Sequence, residues 1–301
     1  MTQSAIDISL LVCTRNRSAS LSLLLASITD ALSAAPSLTI DIVIVDNGST
    51  DDTASIVEQW RAKQATNVTL LHEPRAGLAR ARNRALAAAG GAIIAMTDDD
   101  CRLHRDYFTA LAACFAGLRE PVVIGGRILP GDPADLPITV KTEDHPMVAP
   151  ARGFPGGFVM GANLAFTADV LTRVGDFDER FGAGAPFVAA EDTDFLFRAL
   201  GAGIPVLYDP RFTVAHHHGR RAVTEETALL AGYGFGDGAL YAKHLFRDRR
   251  VLPILLRDLA SLAKDRRAPV TIHRGIRHFY RFRLRHTWRG MVAYAAARQR
   301  R

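Results

Sequence analysis

The chain has 301 residues, 48% of them hydrophobic, which is room for one large α/β unit with a smaller appendage and too apolar for global disorder. It contains no run of about 18 apolar residues, so a membrane-spanning helix is not expected, and Met1 to Asp7 lack the basic and apolar pattern of a secretory signal. The net charge of +6 is segregated: residues 243–301 hold 17 Lys/Arg against 3 Asp, so a mildly acidic body carries a strongly basic tail.

Ile8 to Cys13 forms an apolar strand, and Ser18 is placed to cap a helix with Leu21, Leu24, Leu25 and Ile28 at helical spacing. Ile40 to Val45 is a second strand. Asn47-Gly48-Ser49 is turn chemistry, after which Thr50 or Asp51 can cap a helix reaching Trp60. Val68 to Leu71 is a third strand, Ala79–Ala89 a helix, and Ala92 to Thr97 a fourth strand running into Asp98-Asp99-Asp100. Alternating strands and helices with apolar strands imply a doubly wound α/β sheet of parallel, Rossmann-like type, whose ligands sit beyond the strands' carboxyl ends. Polar residues gather at those ends: Thr14-Arg15-Asn16-Arg17, Asp46-Asn47, and the acidic triplet.

Beyond Asp100 the alternation weakens. Residues 104–117 have helical character, 122–124 a short strand, and 130–155 the Pro, Asp and Gly content of a long loop. Phe158 to Phe166 is extended, Phe195 to Leu200 helical, Pro205 to Tyr208 a late strand, and 224–265 helical. Two units are expected: residues 1–222 as the catalytic domain and 223–301 as a mostly helical, basic extension. Cys13, Cys101 and Cys114 show no zinc spacing and cannot all pair, which points to reduced thiols and a cytoplasmic setting.

Three adjacent carboxylates at a core strand end repel one another, and a hard divalent cation with a phosphorylated ligand would relieve that cost. Cys101 beside them is too soft a ligand for such a cation. Arg82 and Asn83 are candidate donors to a phosphate or base. Glu191, Asp192 and Asp194 open a helix, where one or two act as caps, and a carboxylate among other acids suits a general base. His216 and His218 share one face of an extended segment, and either can join Asp100 on a metal. Gly161-Ala162-Asn163 places little bulk at a pocket wall.

The ordered set Val12 to Arg17, Asp46 to Asp51, Ala81-Arg82-Asn83, Thr97 to Asp100, Gly161-Ala162-Asn163, Glu191-Asp192 and His216 resembles the family-2 glycosyltransferases of GT-A fold over roughly residues 6–220. The resemblance implies a mixed sheet with helices on both faces and an inverting sugar transfer from a nucleotide-diphosphate sugar, a UDP-sugar first. It implies that Thr14, Arg15, Arg17, Asp46, Arg82, Asn83, Asp98 and Asp99 bind the nucleotide. Asp100 and His216 hold Mg²⁺ or Mn²⁺, Asp192 is the base, and Gly161, Ala162, Asn163 and Glu191 shape the sugar and acceptor site. The acceptor implied is a glycan or a lipid-linked hydroxyl. The tail, with His278 to Arg283 and His286 to Arg289 mixing aromatics and bases, suits the inner face of an anionic membrane better than nucleic acid. The rival readings are a nucleotide-sugar-binding protein without transfer and a nucleotidyltransferase. The latter lacks its expected glycine-rich loop, since the first strand ends in Thr14-Arg15-Asn16-Arg17.

Overall fold

The computed structural model describes residues 6–267 and 276–299. The first part runs β1 (Ile8–Thr14), α1 (Ser18–Ser33), β2 (Ile40–Asp46), α2 (Thr53–Arg61), β3 (Asn67–His72), α3 (Leu78–Leu86) and β4 (Ile93–Asp98). It continues through β5 (Cys101–Leu103), α4 (Tyr107–Phe115), β6 (Val123–Pro130), β7 (Met147–Val148), β8 (Asn163–Thr167), α5 (Val170–Val174), α6 (Glu191–Gly201) and β9 (Val206–His216). Four helices follow: α7 (Val223–His244), α8 (Val251–Ala260), α9 (Leu262–Arg267) and α10 (Phe279–Gln299).

The strands form one sheet in the order β3-β2-β1-β4-β8-β6-β9-β5, with β7 paired to β9. The β3-β2-β1-β4 half is parallel, as the alternation predicts. The sheet becomes mixed at β8, which runs antiparallel to both β4 and β6. Both faces are covered, so successive strand residues enter different cores. Ile8, Leu10, Val12, Ile40, Ile42 and Ile44 pack with Leu21, Leu24, Leu25 and Ile28 of α1. Leu11, Val43, Val45, Ile94 and Met96 pack with α3 and α6 through Ala81, Ala85, Phe195 and Leu196. Each such fully buried Leu or Ile contributes about 1.5–3 kcal/mol of transfer free energy.

Several boundaries differ from the sequence expectation. Ser18 is the first residue of α1 rather than its cap; its N–H is taken by Asp51 Oδ2 at 3.2 Å. α2 starts at Thr53, later than Thr50 or Asp51 would have it, and Asp51 Oδ1 accepts from the Thr53 N–H at 3.1 Å. Asn16, in the left-handed region at φ 51, accepts from the Thr50 N–H at 2.7 Å and so laces the two loops together. β8 is shorter than Phe158–Phe166 because 158–162 is turn. β9 is much longer than 205–208: Asp209 takes both the Arg211 N–H and its guanidinium, forming a bulge at Pro210 past which the strand resumes pairing with β6. That extension carries β9 as far as His216.

The C-terminal helices share a third core with the segment before α6. Phe181, Phe187, Ala190 and Phe197 pack with Ala239, Leu240, Tyr241, Val251, Ile254 and Tyr294. Close approach of α7 to α10 depends on glycine: a methyl at Gly238 would overlap the Thr287 carbonyl, and one at Gly290 would overlap the Phe235 carbonyl. A methyl at Gly236 would come within 2.9 Å of the Ala189 backbone. The alternating glycines of α7 thus let one helix press against both α10 and the loop that leads into α6.

Candidate active site

The site forms where β1, β2 and β4 end. Asp98 closes β4, Asp99 and Asp100 make a tight turn, and β5 begins at Cys101. β5 pairs with β9 so that Cys101 lies opposite His216, and the His217 N–H donates to the Asp100 carbonyl at 2.8 Å. This register delivers His216 to Asp100: His216 Nε2 is 3.1 Å from Asp100 Oδ1. His216 Nδ1 is 3.1 Å from the Thr139 carbonyl, a contact that places its N–H there and turns the Nε2 lone pair toward the acid. Asp100 Oδ1 is buried without an aligned hydrogen bond. A buried carboxylate oxygen and an imidazole lone pair aimed at one point fit a divalent cation. Burial opposes the charged imidazole, but Asp100 outweighs it and raises His216.

His218 has a different role. Its Nε2 is 3.0 Å from the Leu136 carbonyl and its Nδ1 accepts from the Arg220 N–H at 3.0 Å, so both ring nitrogens serve the fold. Cys101 Sγ completes the cluster with Asp100 and His216, but it faces the Ala162 carbonyl at 3.8 Å.

Arg82 is the centre of the adjoining charge network. It is 4% exposed; Nη1 donates to Glu191 Oε1 at 2.9 Å and Nη2 to Asp98 Oδ1 at 3.4 Å. Its guanidinium is therefore engaged by protein carboxylates, which corrects the expectation that it meets the nucleotide directly. Glu191 is likewise buried behind Arg82 rather than lining an open pocket. Burial, then the neighbouring Asp192, outweigh Arg82 and push Glu191 up to about 7. A side chain at Gly161 would strike the Arg82 guanidinium, so this glycine is required by the network itself.

Asp192 begins the first turn of α6 and is not fully buried. Its Oδ2 accepts from the Gly161 N–H at 3.0 Å and its Oδ1 from the Thr193 N–H at 2.6 Å. Asp194, two residues on, points into the protein. It binds Arg198 Nε at 2.8 Å, Lys243 Nζ at 2.7 Å and His244 Nε2 at 2.8 Å, fastening α7 to α6. Burial works against its charge, but His244, Lys243 and Arg198 prevail and hold it at about 2, below the ordinary 3.8. A depressed carboxyl supplies stability that is complete above its unfolded pKa and is lost as pH falls through its folded one. The excess stability of the parent over Asp194→Asn is therefore expected at full size above about pH 4, shrinking by about 2 kcal/mol toward about pH 2. Denaturant unfolding at stepped pH measures it; a difference that stays flat across that window would refute the pairing.

Two expected ligands are spent on the fold. Asn83 clamps Phe177 through two 2.9 Å hydrogen bonds, donating from Nδ2 to its carbonyl and accepting its N–H. Asn163 is fully buried, accepting from Tyr107 Oη at 3.1 Å and donating to the Arg127 and Phe212 carbonyls, so its side chain faces the core and not a sugar pocket. Ala162 is buried, its carbonyl bound by Thr97 Oγ1 at 3.0 Å. Asp46 is buried, and its Oδ1 accepts from Ser49 N–H at 2.8 Å, so the turn does use it, while Oδ2 stays toward His72 at 3.3 Å. Arg15 and Arg17 are exposed at the mouth, and Thr14 is buried beneath them. Burial pushes Asp99 up to about 7, against the Thr14 hydroxyl.

Sequence reasoning overlooks three residues. Thr139 orients His216 from within the long loop. Burial opposes the charge on Asp100, but His216, then Arg17 and Arg220, hold its carboxyl below the ordinary value, and the Arg-Arg pair after the histidines is the only trace of Arg220 in the sequence. Tyr233 of α7 is near Asp192: burial first, then that carboxylate, raise its phenol. No local pattern singles it out.

The mixed α/β sheet with acids at its strand ends is the architecture of the GT-A fold. The chain belongs to Glycosyl transferase family 2, whose sequence profile matches residues 9–168. Over 214 residues it is 28% identical to the pre-mycofactocin glycosyltransferase of Mycobacterium tuberculosis, an alignment taking in 67% of this chain but only 43% of that protein. It is 24% identical over 186 residues to the glucosyl-dolichyl phosphate glucuronosyltransferase of Haloferax volcanii, covering 59% of each chain. Among solved structures, the mannosyltransferase PcManGT from Pyrobaculum calidifontis, in complex with GDP-Man and Mn²⁺, aligns with a TM-score of 0.58 at 22% identity over 96% of this chain and 85% of that one. S. aureus TarS 1-349 in complex with UDP-GlcNAc aligns with a TM-score of 0.53 at 16% identity over 98% and 93%. These likenesses carry the fold.

Proposed function

We propose that the protein is a metal-dependent, inverting glycosyltransferase that moves a sugar from a nucleotide-diphosphate sugar, a UDP-sugar first among candidates, to a hydroxyl of a glycan or lipid-linked acceptor. The observation that carries this reading is the acidic cluster at the strand ends: the Asp100–His216 pair adjoins Asp98, Arg82 bridges Asp98 to Glu191, and the next residue, Asp192, is a carboxylate held by backbone donors. Thr14, Arg15, Arg17, Asp46, Asp98 and Asp99 line the nucleoside side of the strand ends. Asp100 and His216 would hold Mg²⁺ or Mn²⁺, and the bound cation supplies positive charge against the leaving diphosphate. The GDP-Man and Mn²⁺ complex of PcManGT supports that assignment.

Asp192 Oδ2 receives one N–H and keeps a second lone pair. That lone pair takes the proton of the acceptor hydroxyl. The acceptor oxygen attacks the anomeric carbon on the face opposite the diphosphate, the glycosidic bond to phosphate breaks, and the configuration inverts. Arg82 fixes the acids on both sides, holding Asp98 of β4 and Glu191 of α6 in register. Residues 1–222 contain this machinery, and residues 223–301 contact an anionic membrane that presents the acceptor. The lipid-phosphate substrate in the name of the Haloferax relative favours such an acceptor. No helix among the described residues is long and apolar enough to cross a membrane.

A thermal-shift panel of UDP- and GDP-sugars with and without Mn²⁺ tests the reading. A donor at about 100 times its Kd is expected to add about 2.7 kcal/mol of stability, and only with the metal. Stabilisation indifferent to metal would sink the Asp100–His216 assignment; no response to any donor would sink the transfer reading.

A further inference from the structure

The basic tail of the sequence draws attention to the aromatics of α10, yet much of that helix is occupied by the fold. Thr287, Gly290 and Tyr294 are buried against α7 and the third core. The unpartnered apolar surface is on α8. Val251 and Ile254 fasten this helix to the core, being 0% and 3% exposed. On its other side Leu252, Leu256 and Leu259 are 56%, 58% and 49% exposed, at i, i+4 and i+7, and therefore on one stripe. Phe246, in the connection just before, is 88% exposed.

The charge around this stripe has one sign. Arg247, Arg249, Arg257, Lys264 and Arg266 are exposed. The acids of the same stretch are turned inward. Asp248 is bound by Arg250, Asp258 by Tyr241 Oη and Arg283, and Asp265 by the N–H groups of Tyr280 and Arg281. No acid among the described residues of 245–266 is exposed. A row of leucines rimmed only by cations has the composition of a helix lying in a lipid interface, apolar face among the acyl chains and bases among the headgroups. A protein partner of ordinary surface would meet uncompensated positive charge at that rim.

We propose that α8, with Phe246, is the surface by which this protein docks on an anionic phospholipid bilayer. The proposal deepens the membrane contact of the function proposed above and rests on it for its purpose, while its physical test stands apart from catalysis. Cosedimentation of the full chain with vesicles of phosphatidylcholine, with and without phosphatidylglycerol, reads it. Binding is expected only with phosphatidylglycerol and should fall as salt rises. The triple variant Leu252→Ser, Leu256→Ser, Leu259→Ser and the double variant Arg249→Glu, Arg257→Glu should each weaken binding by about tenfold or more.

All five positions are exposed, and unchanged melting of the variants confirms that they fold. Parent-like vesicle binding by the triple variant would overturn the proposal, as would failure of the parent to bind phosphatidylglycerol vesicles. So would a parent dimer that the triple variant converts to monomer, since a second copy would then cover the stripe. Donor-dependent stabilisation should persist in every variant. Its absence from the parent, with vesicle binding intact, would remove the transfer reading and leave the docking face standing.

Discussion

Replacing Asp192 by Asn is expected to cut sugar transfer by about 10²–10⁴-fold while donor affinity stays near that of the parent. The carboxylate is gripped at Oδ1 by the Thr193 N–H and at Oδ2 by the Gly161 N–H, so it is positioned before any substrate arrives. An amide can keep one of those contacts but has no oxygen of comparable basicity to accept the acceptor's proton. In the proposed function the nucleotide lies elsewhere, at the ends of β1, β2 and β4. Steady-state transfer with a matched donor, alongside donor binding by calorimetry, separates the two effects. Near-parent turnover in Asp192→Asn would remove it as the base. Equal loss of turnover and donor binding would point to collapse of the α6 terminus instead.

The second large effect is expected at Arg82. This side chain has no neutral substitute, because it is a buried cation between two buried or half-buried acids, Glu191 and Asp98. Arg82→Met matches much of its length and leaves both carboxylates without a partner. Breaking one side of a buried ion pair costs about 3–5 kcal/mol, which is a large part of a domain's stability. Arg82→Lys keeps the charge but loses the two-pronged fork, so it should recover only part of the loss. Denaturant unfolding at neutral pH measures both variants. A cost below about 1 kcal/mol for Arg82→Met would show that the acids are solvated and that Arg82 does not organise them. The position of Gly161 follows from the same contact, since any side chain there would displace the guanidinium. One glycine thus serves two groups: its N–H holds Asp192, and its bare Cα makes room for Arg82.

The pairing of Asp194 with Lys243 and His244 bears on how the C-terminal helices relate to the site. Together with the third core it ties α7 to α6, whose first turn holds Asp192.

The amino-acid sequence by itself determined the parallel half of the sheet and the place of the site. Apolar strands buried on both faces, alternating with amphipathic helices, leave little freedom in local structure, and polar residues at successive strand ends can only gather on one edge. Asp98 to Asp100 and Asp46 stand out for that reason, while Asp192 stands out as one of three acids opening a helix. Only the tertiary structure decided which polar side chains stay available. Arg82, Asn83 and Asn163 carry the same donors whether they face a ligand or the core, and it is their partners, Glu191 and Asp98, Phe177, and Tyr107, that occupy them. The choice between His216 and His218 was likewise made by long-range pairing: β5 against β9 puts one ring beside Asp100, while the Leu136 and Arg220 backbone consumes the other. Strand periodicity and burial are local properties of a chain; hydrogen-bond satisfaction depends on partners brought together from distant positions.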